Sequence, residues 1–283
     1  MPLGGDTRSF GPTQPLATTL PLSTGAVRGA LCALRVADVR SVQVYGRIDS
    51  TNAELLRQAR RGAAPVTVCV ADTQTRGRGR GGRAWCSPPG RNCYVSVLDH
   101  AAREPRLRPR VALWTGIALA EMLRAAGAGD ILLKWPNDLL WRGAKLGGVL
   151  SEGVVMRGGT PGVVVGVGLN LRLPADQRRA LGRPVADLHA VFDGMVPDSR
   201  AVWVARVIAA VIRAGELARN APGELLAERW SAWDALRGCR IRLPDGGITG
   251  VARGVDADGR LRVATAEGIR HLTTLEDRWV LKA

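Results

Sequence analysis

Aromatic residues make up only 4% of this 283-residue chain, with two tyrosines and two phenylalanines among them. No uncharged apolar run reaches the ~18 residues needed to cross a bilayer. The start, Met1-Pro2-Leu3-Gly4-Gly5-Asp6, lacks the charged segment and apolar stretch of a secretory signal. A cytoplasmic protein without membrane contact is expected. Cysteine is sparse: Cys32, Cys69, Cys86, Cys93 and Cys239 form no Cys-x-x-Cys pair, which argues against a disulfide framework and a zinc knuckle. Reduced, buried thiols are expected instead. The three histidines, His100, His189 and His271, stand far apart, and no metal cage is predicted. Neither a Gly-Lys-Ser/Thr phosphate loop nor an internal repeat occurs. Acidic residues are few, 25 against 40 lysines and arginines, which leaves a net charge of +15. Such a field attracts nucleic acid, phosphate ligands or an acidic protein partner, and its sign alone does not choose among them. An arginine-, alanine- and glycine-rich composition is equally what a nucleotide bias of the source would produce.

What is present is a folded composition, 46% hydrophobic beside 23% charged, at a length that suits one large or two ordinary domains. Residues 1 to about 25 carry Gly, Pro, Thr and Ser without periodicity and read as a disordered leader, followed by a weak helical pattern from Ala26 to Val39. Val42, Val44 and Ile48 predict a strand ending at Asp49-Ser50-Thr51-Asn52. There Thr51 and Glu54 form a capping-box pattern, opening a helix that Gly62 stops. Further strands are predicted over 65–70, 93–98, 131–134, 148–152 and 163–170, and helices over 111–126, 200–219 and 225–235. From Gly238 onward short alternating strands are separated by Asp245-Gly246, Asp258-Gly259 and Glu267-Gly268, the texture of a small β-barrel. The expected organisation is a weakly structured leader over 1–39, an α+β domain over 40–235 and the small β domain over 236–283.

Two segments carry the chemistry. In Gln74-Thr75-Arg76-Gly77-Arg78-Gly79-Arg80-Gly81-Gly82-Arg83-Ala84-Trp85, glycines alternate with guanidinium groups directly after a strand. Glycine permits close backbone approach, so amides can converge on an anion while arginine adds charge-assisted hydrogen bonds. Gly77, Gly79 and Gly82 also satisfy G-x-G-x-x-G, but a dinucleotide fold needs them to open a helix, and Pro88-Pro89 follows. The competing reading is a solvated basic loop that binds nucleic acid without specificity. The second segment is Lys134-Trp135-Pro136-Asn137-Asp138 with Lys145-Leu146-Gly147-Gly148, flanking a short hairpin that turns at Arg142-Gly143. This geometry can bring a carboxylate and an ammonium together at strand ends.

These blocks in this order, with Lys145-Leu146-Gly147-Gly148-Val149-Leu150 and Gly166-Val167-Gly168-Leu169-Asn170, resemble the biotin–protein ligase family. The resemblance runs from about Val42 to the end, because Gly250-Val251-Ala252-Arg253-Gly254 is similar to the family's C-terminal SH3-like domain. It implies an α+β catalytic domain like that of class II aminoacyl-tRNA synthetases, with a mixed sheet, and a two-step reaction. Biotin and ATP give biotinyl-5′-adenylate, and a lysine of a biotin carboxyl carrier protein then takes the acyl group. By this resemblance Ser50, Thr51, Asn52 and Gln74 hold the ureido end of biotin. Gly77, Arg78, Gly79, Arg80 and Arg83 cover carboxylate and phosphates, and Gly148 gives the ligand room. Lys145 stabilises the reacting carboxyl and α-phosphate, and Asp138 orients or deprotonates the acceptor lysine. Trp85 packs on adenine, and Asn137 and Asn170 position the adenylate. Mg²⁺ accompanies ATP without a dedicated protein cage.

The chain departs from the family in places. Residues 1–40 are too short and too rich in Gly and Pro for the winged helix-turn-helix of bifunctional members, so operator binding is not expected. Arg76 and Gly81 stand where other residue types are common, which leaves the order of the loop open. A lipoate–protein ligase of the same fold and a basic nucleic-acid-binding module are the alternatives. A monomer or weak homodimer is expected.

Overall fold

The computed structural model describes residues 21–99, 107–242, 249–274 and 280–281. Helix α1 (Thr24–Ala33) leads into strand β1 (Ser41–Ile48), helix α2 (Thr51–Arg61), and strands β2 (Thr67–Gln74) and β3 (Cys93–Asp99). Helix α3 (Leu107–Ala125) precedes the meander β4 (Ile131–Lys134), β5 (Asp138–Trp141), β6 (Ala144–Val155) and β7 (Pro161–Leu169). The short α4 (Ala175–Ala180) and α5 (Leu188–Val191) follow, then α6 (Arg200–Asn220) and α7 (Gly223–Ser231). The seven strands form one mixed sheet in the order β1-β2-β3-β7-β6-β5-β4, in which β1 and β2 run parallel and every other pair is antiparallel.

Alternation along β7 explains both the core and the hollow beside it. Val163, Val165, Val167 and Leu169 join Val95 and Val97 in the main core, which α3 and α6 close with the buried Trp114 and Trp203. On the other face Leu55 and Ala59 of α2 bury against Cys69, Leu98, Val154 and Val164. Further along that second face the strands offer Gly166 and Gly168 of β7 and Gly148 of β6. With no side chains to meet the helix, a cleft opens where core would otherwise continue.

Within the leader expected over 1–39, the helical pattern expected from Ala26 to Val39 takes form as α1, which starts at Thr24 and stops earlier, at Ala33. Ser23 caps α1, its Oγ accepting from the Ala26 N–H at 3.1 Å, and Val27, Ala30 and Leu31 are buried in the core beside α6. That i, i+3, i+4 spacing is a core-facing stripe. Residues 1–20 lie outside the described residues. The cap of α2 also moves: Ser50, one residue before Thr51, accepts from the Ala53 N–H at 3.4 Å, and Glu54 turns to Arg57 and Gln58 instead. Strand β2 runs on to Gln74, so the glycine–arginine loop leaves directly from a strand end, and α7 stops at Ser231, short of Ala235. All five cysteines are free; Cys69 and Cys93 are buried, Cys86 and Cys239 half-buried, and Cys32 is exposed on α1.

A second sheet holds β8 (Arg240–Arg242), β9 (Thr249–Val255), β10 (Leu261–Thr265), β11 (Gly268–Leu272) and β12 (Val280–Leu281), antiparallel in the order β11-β10-β9-β8-β12. Asp258-Gly259 and Glu267-Gly268 make turns as expected, while Asp245-Gly246 lies outside the described residues. The Trp135 Nε1–H donates to the Gly259 carbonyl at 2.9 Å, joining the β4–β5 connection to this sheet. Among the described residues no helix is long and apolar enough to cross a membrane.

Candidate active site

The glycine–arginine segment is a small hairpin. The Gly79 N–H donates to Arg83 O at 2.7 Å and the Trp85 N–H to Gly77 O at 2.9 Å, around a tight turn at Arg80–Gly82. Gly81 (φ 63°) and Gly82 (φ 73°) occupy the left-handed region, which a side chain would strain. Gly77 is required by closeness rather than by φ, because a Cβ there would lie 2.8 Å from Trp85 O and 2.9 Å from Ser87 Oγ. The hairpin spans the hollow over β6 and β7 and walls a cleft between them.

The floor at one end is neutral and tightly bonded. The Thr51 N–H and hydroxyl both donate to Gln74 Oε1, at 2.9 and 3.1 Å, which leaves the Gln74 amide nitrogen to donate to Ser87 Oγ at 3.2 Å. The Asn52 amide nitrogen donates to Glu152 at 2.8 Å and to Leu150 O at 3.3 Å. The buried Ser96 hydroxyl lies 2.6 Å from Asn52 Oδ1 and 2.7 Å from Thr51 Oγ1. Two hydroxyl protons thus serve three oxygen–oxygen contacts, so this floor has acceptor capacity to spare for an incoming N–H donor. Asn52 is pressed so close to β7 that a Cβ on Gly166 would sit 2.2 Å from its oxygen.

The other end is cationic. Arg80 and Arg83 from the hairpin, Lys145 from β6 and Arg183 from the stretch after α4 converge there. A register shift between Leu139 and Leu140 in the β5–β6 pairing re-aims this part of β6, and Lys145 Nζ meets Asp138 Oδ1 at 2.5 Å with both side chains largely covered. Burial pulls the Lys145 ammonium below the usual lysine range, Asp138 opposes that shift, and the nearby charges of Arg183 and Arg83 add to it. Burial, then Arg83, likewise lowers Arg80. The Trp85 indole lies across the glycine strands, with Lys145 Nζ 5.4 Å from its ring centroid. Its buried Nε1–H has no hydrogen-bond partner.

Of the residues singled out from sequence, Ser50, Thr51, Asn52, Gln74, Arg78, Gly79, Arg80, Arg83, Trp85, Asn137, Lys145 and Gly148 line this cleft. Asp138 stands behind Lys145. Gly77 lies at the root of the hairpin. Asn170 is buried beneath the wall, its amide donating to Ala186 O at 3.0 Å, so it braces the segment after α4 rather than facing the cleft. Asn137 lines the cleft while its own amide is engaged with Val149 O at 2.8 Å. His189 is half-buried, His271 is exposed and lies 2.7 Å from Asp256, and His100 falls outside the described residues. Sequence reasoning missed Ser96, Glu152 and Arg183, whose place depends on strand order and loop path; Gly166 and Gly168 were visible only as part of a block.

The Biotin/lipoate A/B protein ligase family model matches residues 44–170, and the Biotin protein ligase C terminal domain model matches residues 237–274. The chain is 33% identical over 239 residues to the biotin–[acetyl-CoA-carboxylase] ligase of Mycobacterium tuberculosis, covering 78% of this chain and 82% of that protein. It is 32% identical over 226 residues to the bifunctional ligase/repressor BirA of Escherichia coli, covering 79% of this chain and 69% of that protein. In structure it is similar to the Aquifex aeolicus biotin protein ligase in complex with biotin and ATP, with a TM-score of 0.68, 25% identity, and coverage of 83% of this chain and 96% of that one. The first model spans biotin and lipoate ligases together, whereas the second is that of biotin protein ligases. At 33% identity across 82% of the Mycobacterium tuberculosis ligase, the chain belongs to the biotin–protein ligase family.

Proposed function

We infer that this protein is an ATP-dependent biotin–protein ligase, which joins biotin to AMP and then transfers the biotinyl group to a lysine of a biotin carboxyl carrier protein. The observation that carries the reading is the division of one cleft into a neutral floor with spare acceptors and a cationic end. A ureido ring offers two N–H donors and no charge, which suits Thr51, Asn52 and Gln74. A carboxylate and a triphosphate need the opposite surroundings.

In the first step a biotin carboxylate oxygen attacks the α-phosphorus, and the bond to the leaving pyrophosphate breaks. Two anions must approach, a repulsion of several kcal/mol in a water-poor site. Arg80, Arg83 and Lys145 offset it where the charge concentrates. The hairpin keeps water from the mixed anhydride. In the second step the acceptor amine attacks the acyl carbonyl and AMP leaves, with Asp138 placed to orient the amine or take its proton. Mg²⁺ would arrive on the ATP oxygens: among the described residues no three His, Cys, Asp or Glu side chains gather to hold a metal, so phosphate and water would supply its shell.

Incubation with biotin and ATP without carrier is expected to leave biotinyl-adenylate bound to the protein, as read by mass spectrometry of the denatured eluate. Recovery of only unreacted ATP would overturn the assignment. A pH dependence follows from Lys145. The first step needs the ammonium charged, and burial holds its pKa below the usual lysine range. Pyrophosphate release is therefore expected to fall on the alkaline side at a lower pH than an exposed lysine would give. In Lys145→Arg, which stays charged, that limb should vanish from whatever activity survives. A limb unchanged in that variant would assign the titration to another group.

A further inference from the structure

Glu152 takes no part in the chemistry above, yet it ties two parts of the cleft together. Its carboxylate accepts from the Asn52 amide at 2.8 Å, and Arg78 Nη2 lies 3.3 Å from Oε1 and 3.4 Å from Oε2. Asn52 belongs to α2 and the floor, whereas Arg78 belongs to the hairpin above it. The hairpin's backbone bonds close it on itself, as Gly79 to Arg83 and Trp85 to Gly77 do, and among the described residues no backbone bond runs from Gly77–Trp85 to β6 or β7. The Arg78–Glu152 contact runs from hairpin to floor strand, so lifting the hairpin must break it.

We propose that Glu152 is a positioning residue that latches the glycine–arginine hairpin through Arg78, holding it shut over the bound acyl-adenylate and slowing escape and hydrolysis of that intermediate. The proposal rests on the ligase reading. The pair suits a latch because it is neither buried nor free, with side-chain exposures of 42% for Arg78 and 26% for Glu152. Such a charge-assisted contact is stronger than a surface pair and still breaks without stranding a fully buried charge. Asn52, fixed by Ser96 and Leu150 O, keeps the carboxylate aimed upward.

The test is a chase. Full-length protein is loaded with labelled biotin and ATP, unlabelled biotin is added in excess, and loss of label is followed without carrier. In Glu152→Gln, which preserves shape and can still accept from Asn52, label is expected to leave about fivefold faster, the scale of one partly screened ion pair. The change should fall on this leak more than on pyrophosphate release. Arg78→Gln should accelerate the leak similarly, and the double variant should be no faster than the quicker single one. The gap between wild type and Glu152→Gln should close at about 1 M salt, which a packing effect would not do. Wild-type retention in Glu152→Gln, effects that multiply in the double variant, or a gap indifferent to salt would overturn the latch. A wild-type protein that never loads label would instead sink the ligase reading.

Discussion

Replacing Lys145 by alanine is expected to lower the rate of adenylate formation about 10²- to 10³-fold, the range found when a preorganised stabiliser of developing charge is removed. The loss is compounded by what remains. Asp138 sits 2.5 Å from the ammonium, and without it a largely covered carboxylate loses its counter-charge. Arg80 and Arg83 cannot fill the gap, since they approach from the hairpin and Lys145 rises from β6 on the opposite wall. The measurement is single-turnover pyrophosphate release at saturating biotin and ATP, with thermal unfolding in parallel. A variant that releases pyrophosphate at the wild-type rate would show that Lys145 is misassigned.

The second large effect is expected from Gly168→Ala. An added Cβ would lie 2.4 Å from two carbons of the Trp85 indole and 2.7 Å from its nitrogen. The backbone of β7 is paired on both sides and cannot retreat, so the indole must move. Its own backbone is bonded to Gly77, so the displacement passes into the hairpin. Overpacking of this kind costs about 1–3 kcal/mol, here a loss of about ten- to a hundredfold in adenylate affinity. Combining Gly168→Ala with Trp85→Leu should recover part of the loss, since the shorter side chain clears the new methyl group. Equilibrium binding of a non-hydrolysable adenylate analogue reads both. An alanine variant that binds as tightly as wild type would mean that the indole does not rest on this strand.

Much of this was legible in the residues. An apolar run announced β7, Gly62 closed α2, and Asp138 and Lys145 were close enough in sequence for a hairpin to bring them together. The hidden parts depend on non-local order. Ser96 reaches Thr51 and Asn52 across strands and helix, and Glu152 meets Asn52, 100 positions earlier, because β3 pairs with β7 and β7 with β6. No local pattern encodes that order. Helix α1 was legible only as a weak helical pattern from Ala26, because its buried stripe of Val27, Ala30 and Leu31 is narrow and includes a side chain as small as alanine. Asn170 closes a conspicuous block, yet its amide is spent inside the protein.

The Trp135 bond to Gly259 gives the small C-terminal sheet a further meaning. The tryptophan is flanked by Lys134 on one side and by Pro136, Asn137 and Asp138 on the other, and its indole is anchored in a turn between β9 and β10. The tail therefore acts as a buttress for the stretch from which Asp138 meets Lys145. Excising it, or grafting a foreign one, would remove that support from behind without changing any residue that lines the cleft under the hairpin.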